Sequence, residues 1–480
     1  MKTENYDNEL SLWIEKEKTI SELSNVASRL ILEHATELVL FRNRITNITK
    51  SEILNLHDYA AKFVKQDISV HQTLNLAKAI LKLGIKNTKI DLGKLTYEWI
   101  KEDTSNDKIN DFLMSKLSAL INDENNLSPK DVILYGFGRI GRLVARELFL
   151  QDNAGGQLRL RAIVTRSNSE KDISKRASLL RTDSVHGIFT GTVKEDFENK
   201  ALIINGRTVN MIAAKSPDTI DYTDYGIQDA LVIDNTGVFR DKEALSLHLK
   251  SKGVAKVLLT APGKGIPNIV FGVNHKVDVE NTSIFSAASC TTNAITPILK
   301  VVEKQLGVVK GHLETIHAYT NDQNLVDNMH NKYRRGRAAA LNMVITETGA
   351  GKAVTKAIPS LEGKLTSSAI RVPTPNGSLA ILNLTLEKET NLEDINNLMY
   401  DAAFDSELVE QIRFSVNNEL VSSDIVGDSC SSIYDSPATQ VSNDGKSIVL
   451  YIWYDNEYGY TRQVLRLAKH IAKVRRTCYY

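Results

Sequence analysis

From Trp13 onward apolar residues return at three- and four-residue steps, through Ile20, Leu23, Ala27, Leu30, Ile31 and Leu38, the stripe of an amphipathic helix. Thr49-Lys50-Ser51-Glu52 and Ser69-Val70-His71-Gln72 have capping-box spacing, each ahead of a further helical pattern. Gly84 stands where the second of these helices should end. A last helix is expected over 109–121, through Phe112, Leu113, Lys116 and Leu120. No proline precedes Pro129, and the only glycines before it are Gly84 and Gly93, a scarcity of breakers that suits long helices. Residues 1–122 are therefore expected to form an α-helical module of four or five helices, followed by a short polar linker at 123–129.

Beyond the linker the pattern changes. Asp131-Val132-Ile133-Leu134-Tyr135 is a short apolar run of buried-strand type, and Arg142 to Leu148 has helical character. Between them lies Gly136-Phe137-Gly138-Arg139-Ile140-Gly141. Alone this spacing is a weak signal, but between a strand and a helix it has a mechanism. Gly136 makes the turn, Gly138 admits a pyrophosphate close to the backbone, and Gly141 lets helix and strand pack closely. The helix N-terminus then aims its amides at phosphate. A second strand is expected at Leu158–Val164. Where an NAD-specific site would carry an acidic residue, the chain has Thr165-Arg166-Ser167-Asn168. Arg166 could pair with a 2′-phosphate, which favours NADP or dual use, although an exposed arginine on a lengthened loop is an almost equal alternative.

The chemistry concentrates at Ser289-Cys290-Thr291-Thr292-Asn293 and at His317-Ala318-Tyr319-Thr320, with His317 lying 27 residues after Cys290. Helical periodicity through Ile295, Ile298, Leu299 and Val302 places Cys290 at or near a helix N-terminus, which favours a thiolate. His317 would supply a general base.

These two strings resemble the active site of phosphorylating glyceraldehyde-3-phosphate dehydrogenases. The resemblance runs from about Val132 to the C-terminus, through Asp183-Ser184-Val185-His186-Gly187, Asn235-Thr236-Gly237, Ala261-Pro262-Gly263, Thr348-Gly349-Ala350, Arg371-Val372-Pro373 and Trp453-Tyr454-Asp455-Asn456-Glu457. It implies an α/β fold: a Rossmann-type nucleotide domain over 130–289 completed by a C-terminal helix at 457–480, and an α+β catalytic domain over 290–456 with a mostly antiparallel sheet. It also implies Cys290 as nucleophile and His317 as base, and a cofactor site that includes the Arg139 and Ile140 amides, Thr236, Thr260, Asn456 and Tyr460. One phosphate site would use Thr320, Asp322, Arg334 and Arg371. The other would use Ser289, Thr291, Thr348, Gly349 and Arg371. The loop carrying Arg334 is about one residue shorter than expected for the family, so Arg335 could take its place. The implied reaction is reversible oxidation of glyceraldehyde 3-phosphate with inorganic phosphate to 1,3-bisphosphoglycerate, in glycolysis or gluconeogenesis, by a homotetramer. Erythrose 4-phosphate is the alternative substrate, and an added scaffold role through the N-terminal helices is a further alternative.

Composition adds limits. A net charge of +1 offers no electrostatic case for nucleic acid or an anionic membrane. Cys290, Cys430 and Cys478 form no disulfide framework, and no signal-peptide pattern opens the chain, so a cytoplasmic location is expected. His34, His57 and His71 lack metal-ligand spacing, and no metal is expected. The first 128 residues carry no motif of their own, and subunit assembly or docking to a partner are the roles expected of them.

Overall fold

The computed structural model describes residues 2–102, 105, 108–121, 127–151 and 156–480. Of the linker expected at 123–129, residues 123–126 lie outside the described residues. The chain divides into two compact units, one of residues 1–129, 150–157 and 473–480 and the other of residues 130–149 and 158–472.

Among its described residues the first unit contains five helices, Lys2–His34, Lys50–Val64, Val70–Leu83, Leu92–Lys101 and Ile109–Ile121. Both capping boxes form as the sequence predicts, with Glu52 and Gln72 closing back on Thr49 and Ser69. Gly84 ends its helix at φ 65°, a left-handed conformation open to glycine at little cost. The unit is not all helix, however. A four-stranded sheet runs in the order Asn43–Arg44, Glu37–Leu40, Thr88–Asp91, Thr477–Tyr479. Glu37–Leu40 and Thr88–Asp91 pair in parallel, and Thr477–Tyr479 adds in parallel to the far side of Thr88–Asp91. The fully buried Asp91 carboxylate organises the strand ends, accepting from the Phe41 amide at 2.8 Å, the Arg42 amide at 2.9 Å and the Lys94 amide at 3.1 Å.

This sheet also corrects the expectation of one C-terminal helix over 457–480. The helix is Tyr458–Ile471, and the tail beyond it leaves as a strand of the first unit. Tyr479 donates to Glu98 at 2.6 Å, and Arg476 lies 3.7 Å from Glu37.

In the second unit an eight-stranded sheet has the order Ile284–Ser286, Val254–Leu259, Ala230–Asp234, Lys130–Tyr135, Leu158–Thr165, Arg207–Ala213, Ala201–Ile204, Val193–Asp196. The first six are parallel and the last two antiparallel. Strands buried on both faces explain the unbroken apolar runs, with Ile133, Leu134, Val232 and Ile233 fully buried. Each such side chain contributes roughly 1.5–3 kcal/mol of burial. Strand order reverses beside Lys130–Tyr135, which opens a crevice at the carboxyl ends of that strand and Ala230–Asp234.

The second sheet has the order Val344–Thr346, Leu365–Val372, Val308–Ala318, Ser378–Leu386, Ser447–Tyr454, Ser432–Asp435, Ile412–Ser415. It is mostly antiparallel, with parallel pairing between Val308–Ala318 and Leu365–Val372 and between Ile412–Ser415 and Ser432–Asp435. The helix Cys290–Gln305 packs against this sheet, and its N-terminus follows directly from the edge strand Ile284–Ser286 of the first.

Candidate active site

Ser289 caps the helix that carries the cysteine: its hydroxyl accepts from the Thr292 amide at 3.1 Å. Cys290 is thus the first residue of the helix, where main-chain N–H groups face outward. Parallel pairing sets His317 opposite Arg371 at the carboxyl ends of their strands. His317 Nε2 lies 3.5 Å from Cys290 Sγ. Its Nδ1 lies 2.7 Å from the Ala318 carbonyl oxygen and 2.7 Å from Arg371 Nη1, which also donates to that oxygen at 2.8 Å. When Nδ1–H donates to Ala318, Nε2 presents its lone pair to the thiol.

Burial, with the Arg371 cation in support, lowers the His317 pKa from 6.5 to about 3. The imidazole is therefore neutral at working pH and able to accept a proton. Burial pushes the Cys290 thiol up, against the pull of the Arg371 charge and Thr291. The thiolate expected from the helix N-terminus is thus opposed by burial, and the thiol stands beside a neutral imidazole able to take its proton. Tyr454 closes the floor, bonded to Thr291 at 3.0 Å and Thr315 at 2.8 Å, with its ring edge-on to His317.

Cys290 and His317 open into a cleft of about 870 Å³ that is also lined by Gly138, Thr236, Thr260, Asn456 and Tyr460. Its glycines fit a dinucleotide. Gly136 has φ 92°, and a Cβ on Gly141 would come 2.7 Å from the Gly136 carbonyl oxygen. A Cβ on Gly138 would meet nothing within 4 Å, so any side chain there would project into space left at the helix N-terminus. Arg139 and Ile140 border the same space, but the Arg139 side chain turns away to Asp183 and Glu457. Asn456 accepts from Ser378 at 2.8 Å, and Tyr460 donates to the Ala288 carbonyl at 2.9 Å, bracing the connection between the strand Ile284–Ser286 and Ser289.

Not every expected residue meets here. Thr320 and Ser289 line the cleft with Arg371. Thr291 is buried behind Cys290, on Tyr454. Thr348 and Gly349 lie at the N-terminus of the helix Ala350–Ala357, outside the cleft lining. Arg334 is exposed, and the neighbouring Arg335 is the buried one, bonded to Thr346 at 3.0 Å and paired with Asp322. Within the four-residue 3₁₀ turn Tyr333–Gly336 it is Arg335, the alternative the sequence left open, that turns inward, and Arg334 that faces out. Arg166 is exposed at the carboxyl end of the strand Leu158–Thr165, outside the cleft lining. The hydroxyls beside it are committed elsewhere, Thr165 to the Ser167 carbonyl at 2.8 Å and Ser167 to Asp172 at 2.5 Å. Tyr454 and Glu457 are functional neighbours that the sequence alone does not single out, though both sit inside the string Trp453-Tyr454-Asp455-Asn456-Glu457.

Two family models match the second unit: the glyceraldehyde 3-phosphate dehydrogenase NAD binding domain at 130–242 and the C-terminal domain of the same enzyme at 289–456. A glyceraldehyde-3-phosphate dehydrogenase-like protein of Pseudomonas aeruginosa (strain UCBPP-PA14) is 50% identical over 427 residues, 88% of this chain and 92% of that protein. The chain belongs to the glyceraldehyde-3-phosphate dehydrogenase family. It is an oxidoreductase of that type, with a Rossmann domain for a nicotinamide cofactor. Glyceraldehyde-3-phosphate dehydrogenases of Priestia megaterium and Streptococcus pyogenes are 40% and 39% identical, covering 70% and 71% of this chain and 96% and 97% of their own lengths. Nearly whole enzymes of the family thus match without needing the mostly helical N-terminal region. The Pseudomonas match is too long to fit within residues 130–480 and extends into it.

Proposed function

We propose that this dehydrogenase oxidises glyceraldehyde 3-phosphate in the presence of inorganic phosphate to 1,3-bisphosphoglycerate. The observation that carries the reading is one imidazole placed 3.5 Å from a thiol and 2.7 Å from a half-buried guanidinium. A nucleophile, a base and a fixed cation for phosphate or a developing oxyanion then share one end of the cleft.

Cys290 Sγ adds to the aldehyde carbon while its proton passes to His317 Nε2 and from there to the carbonyl oxygen, giving a hemithioacetal and returning His317 to its neutral form. The cofactor, when bound, supplies the acceptor for two electrons and a proton's worth of hydrogen. His317 takes the hydroxyl proton of the hemithioacetal, so that oxidation leaves a thioester on Cys290. The Cys290 amide at the helix N-terminus and His317 support the oxyanion. Inorganic phosphate attacks the thioester carbon, the C–S bond breaks, and the acyl phosphate leaves with the thiol restored. Arg371, with Thr320 and Arg335, holds the phosphates. Leu325, Met329, Tyr333, Leu341 and Met343 stand exposed on the loop between Thr320 and Val344, an apolar surface that supports a homotetramer in which a neighbouring subunit covers this loop. Steady-state rates with glyceraldehyde 3-phosphate, with and without phosphate, test the reading. Strict dependence on phosphate is expected, and preference for erythrose 4-phosphate would overturn the substrate assignment.

The cofactor reading favours NADP or dual use. Arg166 has no hydrogen bond or ion pair among the described residues, and it stands at the strand end where a carboxylate would select NAD. Arg166→Asp should lower the NADP/NAD ratio of kcat/KM by at least about tenfold, one step of roughly 1.4 kcal/mol. An unchanged ratio would assign Arg166 to solvent.

A further inference from the structure

The first helix, Lys2–His34, begins well before the residues through which it packs. Residues 5–16 are all exposed, and burial begins only at Thr19 and Ile20. The first ties to the rest of the unit are Glu15 to His71 at 3.6 Å and Thr19 to His71 at 3.2 Å. At about 1.5 Å per residue, the segment before Glu15 is an arm on the order of 20 Å long.

An isolated helix of this length is marginal in water unless a face is packed. This arm has such a face. At about 100° per residue, Tyr6, Leu10, Trp13 and Ile14 fall within one arc of about 100°. All four are exposed, Tyr6 at 64% and Trp13 at 47%. Four scattered apolar residues would need no account, but four on one stripe do.

The charges beside the stripe indicate what covers it. Asp7 and Lys18 lie along one flank, and Glu9 and Lys16 along the other. None of the four has an ion pair among the described residues. If two copies of the arm lie antiparallel about a two-fold axis, each flank meets the same flank of its partner, run in reverse. Asp7 then faces Lys18, and Glu9 faces Lys16. Both pairs are symmetric about the same point, midway between Leu12 and Trp13, and that register puts each Trp13 beside its own symmetry mate. Two independent flanks agreeing on one register is what a self-complementary surface requires.

We propose that the N-terminal arm pairs antiparallel with the arm of a second copy of this chain, with Leu10, Trp13 and Ile14 at the seam. Such a pair buries less than a stand-alone dimer needs. It therefore acts together with association of the core, and this last point alone rests on the tetramer proposed above.

Disulfide trapping in the full-length protein tests the pairing whatever the state of the core. Trp13→Cys should give a crosslinked dimer under mild oxidation beyond any formed by the parent, which contains Cys290, Cys430 and Cys478. Adding Leu10→Asp should abolish it. Adding Glu9→Lys should slow it by about fivefold, the loss of two symmetry-related exposed ion pairs. Adding Lys16→Glu to that variant should restore it. Dehydrogenase rates should stay at the parent level in all of them, which shows that each is folded. No dimer beyond the parent's, or no rescue by the paired reversal, would overturn self-pairing and leave the stripe to a different partner.

Discussion

Cys290→Ser should abolish turnover, with a loss on the order of 10⁴-fold or more. The hydroxyl would occupy the same helix N-terminus 3.5 Å from the same imidazole, so binding of cofactor and substrate should survive. What fails is the nucleophile: a serine cannot be ionised by surroundings that already push a thiol up. That upward shift has its own consequence. In the free enzyme, alkylation of Cys290 by iodoacetamide should accelerate as pH rises through and beyond the ordinary thiol range rather than level off near neutrality. Cys430 is buried and should label far more slowly. A Cys290→Ser enzyme with substantial turnover would remove the thioester from the mechanism. Alkylation of Cys290 that is flat from neutral to alkaline pH would show that Arg371 and the helix terminus outweigh burial.

The parts of this site legible in the sequence are those that local chemistry determines. Thr49, Ser69 and Gly84 announced their helix ends because a cap is decided within four residues. The glycines at 136, 138 and 141 could be assigned separate tasks because a strand and a helix flank them within a single turn. Cys290 and His317 are distant in sequence, and they were recognised by the strings around them, not by any contact that spacing predicts. Arg335 could not be separated from Arg334 because the facing of a short 3₁₀ turn depends on where Asp322 and Thr346 lie across the loop. The sheet of the first unit was invisible for a related reason. Glu37–Leu40 is too short an apolar run to distinguish from helix, and its sheet is completed by Thr477–Tyr479 from the other end of the chain. The exposed start of the first helix was readable only as a stripe. Which part of the stripe is covered depends on how far the neighbouring helix Val70–Leu83 extends.

His317→Asn should lower kcat/KM by roughly 10²–10⁴-fold, the contribution of one general acid–base group. Asparagine can still donate a hydrogen bond toward the oxyanion, but it cannot take the proton of the thiol or of the hemithioacetal. Loss of activity alone would not distinguish a base from a packing residue, and pH-dependent stability does. In the folded protein the imidazole stays neutral down to about 3, whereas an unfolded chain protonates its histidine at 6.5. Acid therefore favours the unfolded state: the stability that His317 contributes is fully present above 6.5 and is lost progressively as pH falls toward 3. Asparagine has no proton to take up. Between about pH 7 and about pH 5 the urea midpoint of the wild type should fall more than that of His317→Asn. Equal declines would mean that the folded imidazole protonates like an ordinary one. The base would then have to work against its own charge and that of Arg371, and the neutral pair proposed for Cys290 and His317 would fail.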